Sequence, residues 1–89
     1  MQIEFDPAKD AINQARHGLT LAEAGELDWE TLVAKPDTRR DYGETRQIGY
    51  AVRGARLYCV VYVDRGEVRR IISLRKANSR EVKSYAQDH

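Results

Sequence analysis

Three runs of alternating or apolar residues, joined by two tight turns, constrain this chain more than any other feature. Arg46–Arg53 alternates, Gly54-Ala55 breaks it, and Arg56–Val63 follows as the strongest strand candidate in the sequence. Asp64-Arg65-Gly66-Glu67 then turns the chain back into Val68–Arg75. Runs rich in Val, Ile and Tyr, separated by Gly-containing turns, pair as hairpins, so the three form an antiparallel meander.

The flanks add helices. Gln2-Ile3-Glu4-Phe5 alternates as a short strand, and Asp6-Pro7 supplies a helix cap and a first helical residue. Ala8, Ala11, Ile12 and Ala15 recur at helical spacing, and Gly18 suits the stop that follows His17. Thr20-Leu21-Ala22-Glu23 has the capping-box pattern, which predicts a second helix offering Leu21, Ala24 and Leu27 inward, with Trp29 closing it as a core anchor. Thr31–Ala34 favours a strand ended by Pro36, and residues 37–44 read as a polar connection with no buried face. Asn78 with Glu81 again resembles a capping box and starts a last helix. The order is β-α-α-β-β-β-β-α, an α+β fold of an antiparallel sheet packed with helices, in one domain over residues 1–89. A core this small is thin, and a bound partner would help stabilise it.

Register decides where charge falls. With Gly54-Ala55 and Arg65-Gly66 as two-residue turns, Ile48, Tyr50, Val52, Leu57, Cys59, Val61, Val63, Val68, Ile72 and Leu74 share the core face. Gln47, Ala51, Arg53, Arg56, Tyr58, Tyr62, Arg69, Ser73 and Arg75 then share a basic, aromatic face. Arg53, Arg56 and Arg75 gather at one end, where like charges call for an anion such as phosphate. A single bulge would flip every later side chain and undo this. Fifteen Lys and Arg against fourteen Asp and Glu leave a net charge of only +1, yet arginine is concentrated from Arg39 to Arg80. Arg75 and Lys76 precede a helix N-terminus, itself favourable for anions, and Arg80 sits in its first turn against the dipole.

Other classes fall away. The single cysteine, Cys59, permits no internal disulfide and reads as a core residue. Two His and one Cys without paired spacing predict no metal site, and no cofactor is expected. No run approaches a membrane span, and Met1–Asp10, with three acids and a proline, is unlike a signal peptide, so a cytoplasmic location is expected.

Four segments in order carry a resemblance: Phe5-Asp6-Pro7-Ala8-Lys9, Arg16-His17-Gly18-Leu19, Asp41–Gly49, and Arg70–Ala77 with Glu81 and Tyr85. Together they resemble the BrnT toxins over nearly the whole chain. Arg16 stands where those toxins usually carry Lys, and Leu74 where a smaller residue is common. The resemblance implies a RelE-like fold and a type II toxin that cleaves RNA and inhibits translation. It also implies a hetero-oligomer with a DNA-binding antitoxin of the BrnA type, which alone would link it to operator DNA.

RNA cleavage without a metal needs a base for the 2′-hydroxyl, cations for the added negative charge and an acid for the leaving 5′-oxygen. On this reading Arg46 and Arg75 hold phosphate and Lys76 adds positive field. Glu81 or His17 is the base and the other orients an arginine; histidine has the side chain that titrates near neutrality. Each has a plain alternative: His17 as a helix C-terminal donor, Glu81 as a capping-box partner, Arg46 as a bridge to Glu44 or Glu67. Arg53, Arg56, Arg80 and Tyr85 are candidate RNA contacts, with Tyr58 and Tyr62 as rings on which bases could stack. Tyr58 and Tyr62 equally suit cross-strand packing, and Tyr85 packing with Val82 and Ala86. A non-catalytic basic module that binds a partner protein or nucleic acid, and a structural subunit permanently covered by its antitoxin, are the competing readings.

Overall fold

The computed structural model describes residues 1–87. Its elements are β1 (Gln2–Phe5), α1 (Pro7–His17), a 3-10 segment (Leu21–Glu26), β2 (Asp28–Pro36), β3 (Gln47–Arg53), β4 (Arg56–Arg65), β5 (Val68–Lys76) and α2 (Ser79–Gln87). The strands form one sheet in the order β1-β5-β4-β3-β2; β2 to β5 are antiparallel neighbours and β1 joins β5 in parallel. The α+β class and the element order expected from the sequence are therefore present.

The helix ends follow their local chemistry. The Asp6 carboxylate accepts the Ala8 N–H at 2.8 Å, Pro7 opens α1, and Gly18, at φ +70°, closes it by donating its N–H to the Gln14 carbonyl. The second helical segment is shorter than its capping box suggested. Glu23 does accept the Thr20 N–H at 2.7 Å, but the turn is 3-10, and Trp29 lies in β2 rather than at a helix end. That strand extends well beyond Thr31–Ala34 on both sides, with an irregular register between Asp28 and Val33.

The face assignment is where the sequence reading fails. Arg53 does oppose Arg56 across Gly54-Ala55, as expected. The next turn is one residue later, because Arg65 pairs with Val68 around Gly66-Glu67. The register then shifts: Tyr62 pairs with Ile71 but Val61 pairs with Ser73, leaving Ile72 as the extra residue. This bulge inverts the remainder of β5. Leu74 now shares a face with Val60, and Arg75 shares the opposite face with Cys59. The face read as polar holds the principal core, where Ala51, Tyr58, Val60, Tyr62, Ile71 and Leu74 pack against Leu19, Leu21, Ala24 and Leu27. Leu57, Cys59 and Val63 are buried on the other face, which α2 partly covers.

α1 is held by a polar clasp rather than by its apolar stripe. Ala8, Ala11 and Ala15 are exposed and Ile12 is 52% exposed, whereas Asn13 is buried. Its amide donates to the Leu19 and Leu74 carbonyls, both at 2.9 Å, and its oxygen accepts the Leu74 N–H at 3.0 Å. β1 pairs with β5 only as far as Ile71. Asn13 thus satisfies backbone groups on the stretch of β5 that β1 does not reach, and pins α1 along that edge.

Candidate functional site

Two adjoining groups of polar side chains occupy the sheet face opposite the principal core. The first is a cleft of about 280 Å³ between α1, the β2–β3 loop and the sheet. Lys9, Arg16 and His17 come from α1, Arg39 and Arg46 from the loop and its end, with Val61, Ile72 and Ser73 from the strands. Four fixed cations and an imidazole meet here, and among the described residues no carboxylate lines the wall. Apart from Arg39, which is ion-paired with Asp37, these cations repel one another, and an anion entering the cleft would relieve that.

The loop owes its shape to Asp37, one of two buried polar residues among the described ones and a correction to the unburied connection expected here. Its N–H donates to the Arg46 carbonyl at 2.7 Å, which closes the neck of the loop. Its carboxylate accepts the Arg39 guanidinium through Nε and Nη2, both at 2.8 Å, and the Tyr42 hydroxyl at 3.0 Å. The Arg39 fork holds the Asp37 carboxyl well below the usual carboxylate range. Tyr42 in turn carries Arg46 on its ring, with Cζ 3.9 Å from the centroid. Arg46 bridges to neither Glu44 nor Glu67; Glu44 is taken by Arg65 at 2.9 Å. The Arg46 Nε–H is buried without a hydrogen-bond partner.

The second group centres on Glu81 at the start of α2. Asn78 and Glu81 form the expected capping box, Asn78 N–H to Glu81 at 2.9 Å and Glu81 N–H to Asn78 at 2.8 Å. The same carboxylate takes both Arg75 Nη groups at 2.8 Å and the Tyr50 hydroxyl at 2.7 Å. Chiefly through the Arg75 hydrogen bonds, and against the opposing effect of partial burial, Glu81 is pulled down to about 2. Burial first, then the bond to Glu81, raises the Tyr50 hydroxyl. A carboxylate so held is a poor proton acceptor near neutrality, and its geometry suits orienting Arg75. Arg75 stands two residues from Ser73 on the same face, roughly 7 Å along β5, so this pair borders the cleft floor.

The depressed Glu81 value has a consequence for stability. A carboxylate lowered in the folded state stabilises the fold above its unfolded value and loses that contribution as pH falls through the folded one. The parent should lose roughly 2 kcal/mol between about pH 5 and pH 2, allowing for solvent screening at part-exposed Arg75. Denaturant titrations at pH 7 and pH 3 should show a smaller difference for Glu81→Gln than for the parent. An equal difference would mean that the ion pair contributes nothing to the fold.

The other expected site residues scatter. His17 and Arg46 meet in the cleft; Arg75 lies next to it along β5, and its partner Glu81 lines a different groove. Lys76 is exposed at the end of β5, opposite Tyr58 and so off this face. The expected Arg53-Arg56-Arg75 cluster does not form, because the bulge sends Arg75 to the other face and Arg53 is ion-paired with Glu23 at 3.0 Å and Glu26 at 3.4 Å. Arg56 is exposed beside it. Tyr58 is 8% exposed within the core, so its ring is not offered to a base. Arg80 and Tyr85 line the same groove as Glu81, of about 320 Å³, between α2 and the β2–β3 edge, and the Tyr85 hydroxyl donates to the Thr31 carbonyl at 2.6 Å.

Lys9, Arg16 and Arg39 were not singled out as site residues from the sequence, although Lys9 and Arg16 lie in the segments that carried the resemblance. The signal was available in the helix: Lys9, Arg16 and His17 fall on one side of α1, at spacings of seven and eight residues. Among the described residues no group of three or more His, Cys, Asp and Glu side chains is arranged to hold a metal ion. No helix among them is long and apolar enough to cross a membrane.

Compared with known families, residues 5–81 match the family model described as "Ribonuclease toxin, BrnT, of type II toxin-antitoxin system". No curated protein matches the chain.

Proposed function

The chain belongs to the BrnT family of type II toxin–antitoxin ribonuclease toxins, and from that premise we propose that the cationic cleft on its sheet is where RNA is bound and cut. The observation that carries this reading is the convergence of Lys9, Arg16, His17, Arg39 and Arg46 on one cleft that no carboxylate of the described residues lines. Cations of this kind, arginine forks above all, match a phosphodiester.

In the proposed reaction His17 accepts the 2′-hydroxyl proton while the 2′-oxygen bonds to the adjacent phosphorus. The bond from phosphorus to the 5′-oxygen breaks, that oxygen leaves with a proton taken from water, and a 2′,3′-cyclic phosphate remains. Arg46 and Arg39 stabilise the charge gathering on the phosphoryl oxygens, with Lys9 and Arg16 supplying further positive field. Arg75, held by Glu81, serves an adjoining phosphate; Glu81 is its positioning residue. Lys76, Arg56 and Arg80 act at longer range on the RNA backbone. No metal takes part in this scheme. Cutting RNA would inhibit translation in the cytoplasm, and a BrnA-like antitoxin would be the neutralising partner.

The test is cleavage of a defined RNA by the purified, antitoxin-free protein in EDTA, beside Arg75→Ala of verified fold. The parent should cleave, and the variant should lose at least about tenfold in rate, as expected for one charge-assisted contact. A folded parent that leaves RNA intact, with and without ribosomes, would remove the catalytic reading and favour a binding module.

A further inference from the structure

We propose that Asp37 is a positioning residue for the cleft: its carboxylate holds Arg39 and, through Tyr42, Arg46 where both meet phosphate. The proposal rests on the reading of the cleft as an RNA phosphate site, and Asp37 itself does not line that cleft.

A buried carboxylate is a costly way to close a loop, since an amide or hydroxyl would satisfy the same turn without burying charge. Asp37 has a side chain only 1% exposed, whereas its partner Arg39 is 71% exposed. The carboxylate occupies one edge of that guanidinium, through Nε and one Nη2 hydrogen. Arginine carries five N–H donors in a planar fork, so the opposite edge stays free for an anion. The Arg39 backbone N–H also reaches Asp37, at 3.1 Å, so both ends of the residue are tied to the same group.

The second branch passes through Tyr42. Its hydroxyl is anchored on Asp37 Oδ2 at 3.0 Å, which fixes the ring on whose face Arg46 lies. The Arg46 backbone is anchored as well, by the Asp37 N–H. One buried residue therefore sets the direction of two of the four fixed cations that line the cleft. Side chains held before the ligand arrives lose less entropy on binding it.

The test uses a labelled 2′-O-methyl RNA oligonucleotide, which cannot supply the attacking hydroxyl, so that binding is read without cleavage. Affinity is measured against salt for the parent, Asp37→Asn, Asp37→Glu, Arg39→Ala, Arg46→Ala, and Arg39→Ala/Arg46→Ala with and without Asp37→Asn. Asp37→Asn should weaken binding by about tenfold, and flatten the salt dependence by about 0.7 for each phosphate of the single strand that is no longer neutralised. Asp37→Glu should recover part of the loss. In the Arg39→Ala/Arg46→Ala background Asp37→Asn should change nothing further, whereas a purely structural role would weaken binding in every background. Retained affinity and slope in Asp37→Asn, with weakened Arg39→Ala and Arg46→Ala, would overturn the positioning role alone. Unchanged binding by both arginine variants would instead overturn the reading of the cleft beneath it.

Discussion

Replacing Arg46 by alanine is expected to lower RNA cleavage by about 10²–10³-fold, the usual cost of removing one preorganised donor from a developing oxyanion. Arg46 has a buried donor left unpaired, and its guanidinium carbon lies over the Tyr42 ring, 3.9 Å from the centroid. Binding of an uncleavable RNA should fall by only about tenfold, so most of the loss should appear in the rate at saturating substrate. Arg46→Lys should recover little, because an ammonium neither stacks as a planar group nor forks onto two oxygens. A single-turnover assay beside a binding titration separates the two effects. Cleavage by Arg46→Ala within about threefold of the parent would remove Arg46 from transition-state stabilisation.

Asn13→Ala is expected to be the most damaging single change to the fold. It removes the three hydrogen bonds at 2.9, 2.9 and 3.0 Å that join α1 to Leu19 and to β5. It strands buried backbone groups at Leu74 and Leu19, each of which costs on the order of 1–3 kcal/mol when left unpaired. A total near 3 kcal/mol is a large share of the roughly 5–15 kcal/mol that holds a small domain together. For a chain of this size it should lower Tm by roughly 12–20 °C. Asn13→Asp should do no better, since it keeps the acceptor for Leu74 N–H but turns a carboxylate toward two carbonyl oxygens. Thermal unfolding followed by far-UV circular dichroism measures both; a loss below about 1 kcal/mol would show that α1 is held by something other than this clasp.

Much of the fold was legible because local chemistry and final structure agree. Asp6-Pro7, Gly18, the Asn78–Glu81 box and the Gly54-Ala55 turn all act as their residue types suggest. The faces of the sheet were not legible, because alternation gives a phase and the bulge at Ile72 resets it without a mark in hydropathy. α1 misled for a related reason: alanines at helical spacing look like a buried stripe, while the residue that binds the helix is a polar Asn13. Asp37 escaped notice because a buried carboxylate paired with an exposed arginine two residues on reads, in sequence, as part of a polar loop. Arg46, Arg75, His17 and Glu81 could be singled out by charge and by resemblance. That Lys9, Arg16 and Arg39 stand with Arg46 and His17 around one cleft depends on how α1 and the loop pack, which no local rule supplies.

The bulge also bears on how this strand can vary in length. Beyond Ile72, which side of the sheet a residue occupies depends on the number of residues before it as much as on its chemistry. Deleting Ile72 would restore a regular ladder with Leu74 still opposite Val60 and Arg75 still opposite Cys59, whereas drawing Ile72 into the ladder would turn Leu74 outward and Arg75 into the apolar interior. Substitutions along β5 therefore act one position at a time, and the bulge can absorb the loss of one residue, whereas the gain of one acts on everything downstream to Lys76. A lineage carrying this strand can shed a residue at that point more readily than it can add one.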